Sequence, residues 1–237
     1  MHVFAHRGVS GSAPENTRAA IELALGLPIF GVEVDVYACE DDYILTHDRW
    51  LTRTAGLTKR IDQMSLAELR ATAVGSHAGE AQTIPTLADI LEFDWHSHVL
   101  NLELKYVPDI EHFLGYLASH SKASDVQSLS ILMSSFHHGY LDQIKRLAPQ
   151  YELGWLTASY PLKKAIEARN AECQWFNIAI DVVDQAIVEN AHKHGLKVAV
   201  FTVDEPADLA WLQQLGVDAV FCNHPGVANN YIQSLTD

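Results

Sequence analysis

Two short segments place charge where a strand would bury it. Glu33 and Asp35 lie in GVEVDV, and Glu103 and Lys105 lie in NLELK. Side chains alternate along a strand, so Glu33 and Asp35 share one face while Val32, Val34 and Val36 take the other. Glu103 and Lys105 repeat that arrangement. Charges that face an interior must be paired or bound, because a bare buried charge is very costly. Three carboxylates and one ammonium leave a surplus of two negative charges. A divalent cation neutralises it most simply, and an all-oxygen ligand set favours Mg²⁺ or Ca²⁺ over zinc. The same residues also fit a metal-free salt-bridge cluster of Glu, Asp and Lys around Arg7.

His6 precedes Arg7, and His47 precedes Asp48. Two imidazoles in one pocket can serve as base and acid, one neutral and one protonated. Arg7 has the planar fork that matches a phosphate or carboxylate. Most of the thirteen histidines, including His96, His98, His137 and His138, lack such company and read as polar surface residues.

These side chains need elements to position them. Apolar, β-branched runs predict strands at His2–His6, Val32–Val36, Val99–Leu104, Leu129–Ser134, Glu152–Leu156, Trp175–Ile180, Lys197–Thr202 and Ala219–Cys222. Amphipathic segments separate most of them, such as the stripes Ala20, Ile21, Ala24, Leu25 and Leu209, Leu212, Leu215. Gly195 and Gly216 stand where helices should stop. Asp204 before Glu205 and Pro206 reads as a capped helix start. Asn16, in PENT, reads as the cap of a Thr17–Leu25 helix, and Glu15 or Asn16 could also reach back to hold the first strand's His and Arg. Strands alternating with helices, eight in number and with no GxGxxG after the first, predict a closed (β/α)8 TIM barrel. Active sites of such barrels gather at the C-terminal strand ends, where His6 and Arg7 fall. Residues from about 43 to 87 break the rhythm: YILTH suggests a short extra strand, Ser65–Arg70 a brief helix and Gly75–Thr83 a polar loop. They read as a small insertion after the second barrel strand, within one domain spanning 1–237.

With 237 residues, 48% of them hydrophobic, the chain can build a sizeable core. A net charge of −14 argues against a general binder of nucleic acid or anionic membrane. The start MHVFAHRGVS lacks the features of a signal peptide, and no run approaches a membrane span. Cys39, Cys173 and Cys222 read as unpaired, buried thiols in a reducing compartment. A soluble cytoplasmic protein is expected.

The motifs AHRG (5–8), PENT (14–17), EVD (33–35), HD (47–48) with LTRT (51–54), ELK (103–105), SF (135–136), TVD (202–204) and NHP (223–225) occur in one order along nearly the whole chain. That ordered set resembles the glycerophosphodiester phosphodiesterases. The resemblance implies a metal-dependent enzyme that hydrolyses a small-molecule glycerophosphodiester to glycerol 3-phosphate and an alcohol. It implies Glu33, Asp35 and Glu103 as ligands of the divalent metal, His6 and His47 as acid and base, and Arg7 and Lys105 as phosphate holders. Three departures stand out. Phe201 replaces the family's usual Trp, Asn223 stands where an acid is usual, and YACEDDYILTHD lacks the usual Thr and Gly turn. Phe136, Trp155 and Phe176 are candidates for the leaving-group pocket or for core. Close alternatives are a phospholipase D-like hydrolase of lysophospholipids, which needs an apolar channel or rim, and a non-catalytic phosphate-ester binder. A sugar-phosphate isomerase or aldolase on the same barrel would not call for two His and three carboxylates.

Overall fold

In the computed structural model, which describes residues 1–121 and 129–235, β1 (His2–His6), α1 (Arg18–Leu25) and β2 (Gly31–Cys39) open the chain. A departure from the alternating pattern follows: β3 (Asp42–Leu45), α2 (Thr52–Ala55), α3 (Leu66–Arg70), β4 (Ala73–His77) and β5 (Glu80–Thr83), before α4 (Leu87–Leu91). Then come β6 (Val99–Tyr106), α5 (Ile110–Ser121), β7 (Ile131–Ser135), α6 (His138–Leu147), β8 (Glu152–Thr157) and α7 (Ile166–Asn170). The chain ends with β9 (Trp175–Ala179), α8 (Gln185–Lys193), β10 (Lys197–Phe201), α9 (Pro206–Leu215), β11 (Ala219–Cys222) and α10 (Pro225–Ser234).

The parallel strands run in the order β1-β11-β10-β9-β8-β7-β6-β2, and β1 pairs with β2 to close the ring. The expected (β/α)8 TIM barrel is what forms. Strand parity sorts the residues as alternation requires. Val32, Val34 and Val36 pack outward in the core shared with Ile21 and Ala24 of α1, while Glu33 and Asp35 face the barrel axis among the carboxylates described below. A separate apolar cluster of Phe4, Leu132, Trp175, Ala199, Ala219 and Phe221 plugs the floor of the barrel. Phe4 stacks on Phe221 at 4.9 Å between centroids, and the Trp175 indole N–H donates to Glu152 Oε2 at 2.7 Å. This floor leaves the interior polar only toward the C-terminal strand ends, so any site is a one-sided cup.

Several local expectations need correction. Residues 75–83 are not a loop but most of an antiparallel hairpin, β4 with β5. Its side chains are mostly exposed, so no apolar alternation marks it. The cap of α1 is Thr17, whose hydroxyl accepts from Ala20 N; Asn16 sits in the left-handed region at φ 57 and points elsewhere. Asp204 does not cap α9, which starts at Pro206 with no side-chain cap. Strand β2 runs on to Cys39 because β3 pairs with it across a Glu40–Asp41 turn. Cys173 and Cys222 are buried, but Cys39 is only half-buried. His98 is buried and bonds to Leu27 O, and His138 donates to Leu156 O while stacking on Trp155, so neither is a surface residue. Phe176 is core. No helix among the described residues is long and apolar enough to cross a membrane.

Candidate active site

Register sets the acidic cluster. Asp35 on β2 pairs with Glu103 on β6, and Glu33 lies two residues back on the same face. One carboxylate oxygen from each of the three can be chosen so that all lie within 4.8 Å of one another. Glu33 and Asp35 are 2% and 0% exposed. Both readings of these residues have a physical counterpart. Lys105 Nζ lies 2.7 Å from Glu103 Oε1 and 3.5 Å from Asp35 Oδ1, and Arg7 Nε lies 3.2 Å from Asp35 Oδ2. Yet Glu33 Oε1 and Asp35 Oδ1 accept no hydrogen bond among the described residues.

The electrostatics show that compensation is incomplete. Burial, with the charges of Asp35 and Glu103 added, pushes Glu33 well above the usual carboxylate range. Burial and Asp35 push Glu103 up to about 7. Asp35 is held below its ordinary value: burial pushes it up, but Arg7 and Lys105 outweigh that. Three carboxylates gathered this closely form an all-oxygen set of the kind that suits a hard divalent ion.

Two loop residues hold this geometry through backbone few residue types adopt. Arg7 has φ 57, which aims its N–H at Glu33 Oε2, 2.9 Å away. Gly8 follows at φ 77, where a Cβ would sit 2.5 Å from the Ala20 carbonyl carbon of α1. Asn tolerates the left-handed region better than most residues. From there Asn16 grips Asp35 twice, donating from Nδ2 to Oδ2 at 2.8 Å and accepting from Asp35 N at 3.0 Å. Glu15 holds Arg7 Nη1 at 3.0 Å. The PENT turn therefore supports the Arg7 and Asp35 side chains, while its link to His6 runs only through neighbours.

His6 is oriented by Asn223. Asn223 Nδ2 donates to Asp204 Oδ2 at 2.6 Å, which turns Oδ1 toward His6 Nδ1 at 2.9 Å. Ser10 Oγ lies 2.8 Å from the same Oδ1. Nδ1 therefore carries the ring proton, and Nε2 is left as the acceptor. Burial and the neighbouring Arg7 charge push His6 down to about 4, so it is neutral at pH 7. His47 follows β3, whose neighbour Thr46 N donates to Asp35 O at 3.1 Å, and its Nδ1 lies 2.7 Å from Asp48 Oδ1. It lines a narrow cleft with Glu15, Asn16 and Thr46, beside the residues that hold Arg7 and Asp35.

The sequence left three participants without a role. Asp204 supplies the carboxylate that Asn223 lacks, one residue further from the imidazole; the motif TVD contained it, but it read as a helix cap. Ser10 had no signal. Arg53, within LTRT, donates to Asp48 Oδ2 from Nε at 2.7 Å and to Glu15 Oε1 from Nη2 at 2.7 Å. The apolar wall is partial: the half-exposed Phe136 meets Phe201 edge-on at 5.9 Å, and Lys105 Nζ lies 5.9 Å from the Phe136 ring centre. A cavity of about 510 Å³ opens beside Lys105 between the ends of β2 and β6 and the insertion, with Tyr37, Ile44, Arg49, Ile61, Met64 and Tyr106 in its wall.

The sequence matches the Glycerophosphoryl diester phosphodiesterase family over residues 6–227. It is 32% identical to a glycerophosphodiester phosphodiesterase of Bacillus altitudinis, with 94% of each chain covered. It is 29% identical to one of Caldanaerobacter subterraneus subsp. tengcongensis, covering 98% of this chain and 97% of that one. Among solved structures, it resembles an Oleispira antarctica phosphodiesterase in complex with the product sn-glycerol-3-phosphate. That match has a TM-score of 0.89 and 32% identity, over 98% of this chain and 97% of the other. With the motifs spread along the chain and a match of this extent, the chain belongs to the glycerophosphoryl diester phosphodiesterase family and is a phosphoric diester hydrolase.

Proposed function

We propose that this protein hydrolyses glycerophosphodiesters to sn-glycerol 3-phosphate and an alcohol, with Glu33, Asp35 and Glu103 holding Mg²⁺ or Ca²⁺. The observation that carries this reading is the cup itself: three under-compensated carboxylates from adjacent strands, two oriented imidazoles, and Arg7 and Lys105 at its edge. The product in the Oleispira antarctica structure supports the same chemistry.

A bound cation would draw charge from the non-bridging phosphate oxygens. Arg7 and Lys105 hold those oxygens from the protein side, where developing negative charge is best stabilised by preset cations. His6, neutral with Nε2 as its acceptor, takes a proton from the oxygen of the attacking water. As that oxygen bonds to phosphorus, the bond to the leaving oxygen breaks. His47, held at Nδ1 by Asp48, gives its proton to the departing alkoxide. The cavity beside Lys105 receives the leaving alcohol. Unpaired cysteines support action in a reducing compartment such as the cytoplasm.

The test is release of glycerol 3-phosphate from glycerophosphocholine, glycerophosphoethanolamine and their relatives, with Mg²⁺ or Ca²⁺ and with chelator. Release that stops on chelation is expected; binding without product would leave a phosphate-ester binder. A second reading has one specific observation in its favour. Tyr106 ends β6, Phe136 follows β7, and Tyr160 and Leu162 follow β8; they are 53%, 44%, 51% and 100% exposed, at the strand ends where a lysophospholipid hydrolase would need apolar surface. Running acylated beside deacylated substrates decides between them.

Metal binding is expected to strengthen with pH. Glu103 titrates near 7 in the fold against 4.5 as its ordinary value. A raised carboxylate stabilises the metal-free fold below its ordinary value and loses that contribution as pH rises through about 7. The cation binds the deprotonated form, so its stabilisation grows across the same window. The rise in Tm on adding saturating Mg²⁺ or Ca²⁺ should be small at pH 5 and clearly larger at pH 8. An equal shift at both would show that Glu33 and Glu103 do not exchange their protons for the metal.

A further inference from the structure

We infer that Arg53 is a positioning residue that fixes the His47 ring, through Asp48, onto the barrel. The inference rests on the reading of His47 as the proton donor.

Every link is short. His47 Nδ1 meets Asp48 Oδ1 at 2.7 Å, and Asp48 Oδ2 accepts from Arg53 Nε at 2.7 Å. The other two guanidinium nitrogens fork onto both oxygens of Glu15, at 2.5 and 2.7 Å. Glu15 in turn holds Arg7 at 3.0 Å. One planar cation thus joins a carboxylate of the insertion to a carboxylate of the first barrel turn. Lysine lacks the fork that makes both contacts at fixed angles.

Beyond Asp48 and Glu15, the Arg53 side chain makes no hydrogen bond among the described residues. Its side chain is 50% exposed, where an ion pair adds little to stability. The insertion has its own apolar cluster of Tyr37, Ile44, Leu51, Ile61, Leu69 and Ile84. The backbone leading to His47 is held by β3 and by the Thr46–Asp35 bond, not by Arg53. What backbone pairing cannot set is the imidazole's rotation. That depends on Asp48, and Asp48 depends on Arg53: without it, Asp48 keeps its contact to His47 but loses the cation on its other oxygen. Glu15 and Asp48 would then have no shared partner. Both carboxylates now sit below their ordinary values. Burial opposes this, and hydrogen bonds from Arg53 and, for Asp48, His47 overcome it.

The experiment is a double-mutant cycle in the full chain with saturating Mg²⁺ or Ca²⁺. Arg53→Met is expected to lower kcat about 10–100-fold, the range typical for groups that orient a working ligand or acid. KM should stay within about threefold, and the metal-induced Tm shift should not change; Arg53→Lys should fall between. In a His47→Ala background, Arg53→Met should cost less than about twofold more, because residues acting as a unit are not additive. An undiminished loss in that background overturns the inference while leaving the hydrolytic reading intact, as does an unchanged kcat in Arg53→Met. A wild-type protein that releases no glycerol 3-phosphate from any diester fails the hydrolytic reading first, and the inference with it.

Discussion

His6→Ala is expected to lower kcat by roughly 10²–10⁴, the range typical of a lost general base, with the barrel still folded. The ring stands at the C-terminal end of β1, with Nδ1 committed to Asn223 and Nε2 making no hydrogen bond among the described residues. Burial and Arg7 keep it uncharged, so at neutral pH it is poised to accept a proton rather than to donate one. Its hydrogen-bond partner cannot take over: Asn223 does not titrate, and Asp204 behind it is bonded to Asn223. His6 belongs to neither the apolar floor nor the outer core, so Tm should move by only a few degrees and the metal-induced Tm shift should survive. The measurement is kcat for glycerol 3-phosphate release under saturating metal and substrate. Turnover within a few-fold of wild type would remove His6 from the acid–base pair.

Glu33→Gln is expected to separate metal binding from folding. Gln keeps the shape and can still accept the Arg7 N–H that now goes to Oε2. It removes one of the three clustered carboxylates and places an N–H₂ where a cation would sit. Metal affinity should fall at least about 10–100-fold, with kcat/KM falling alongside it and recovering only partly at high metal. The metal-free protein behaves in the opposite sense. Glu33 is pushed well above the usual carboxylate range by burial and its acidic neighbours, so its charge opposes the fold. At pH 8 the metal-free variant should melt no lower than wild type, and higher if the charge is fully relieved. Melting curves with and without metal test both halves together. An unchanged metal titration would reassign that ligand to another residue.

Much of the site was legible because strands impose a period of two. Glu33 with Asp35, and Glu103 with Lys105, had to share faces once GVEVDV and NLELK were strands. Eight apolar runs separated by amphipathic segments left few arrangements other than a closed barrel. The polar hairpin of β4 and β5 escaped notice, since strands exposed on both faces carry no apolar signal. Asn16 was misjudged for a different reason. A helix cap is a local property, whereas its grip on Asp35 spans 19 residues and two elements.

Strand parity, a local rule of backbone geometry, thus determined which acids and cations could face the barrel interior. Which proton each imidazole carries was decided only by tertiary structure. Burial sets the neutrality of His6, and Asn223, 217 residues away, sets its tautomer. Arg53 belongs to the same class, an exposed charge in a four-residue helix until folding brings Glu15, 38 residues distant, against it. Solvation and long-range hydrogen bonds are properties of the packed chain, and no local spacing encodes them.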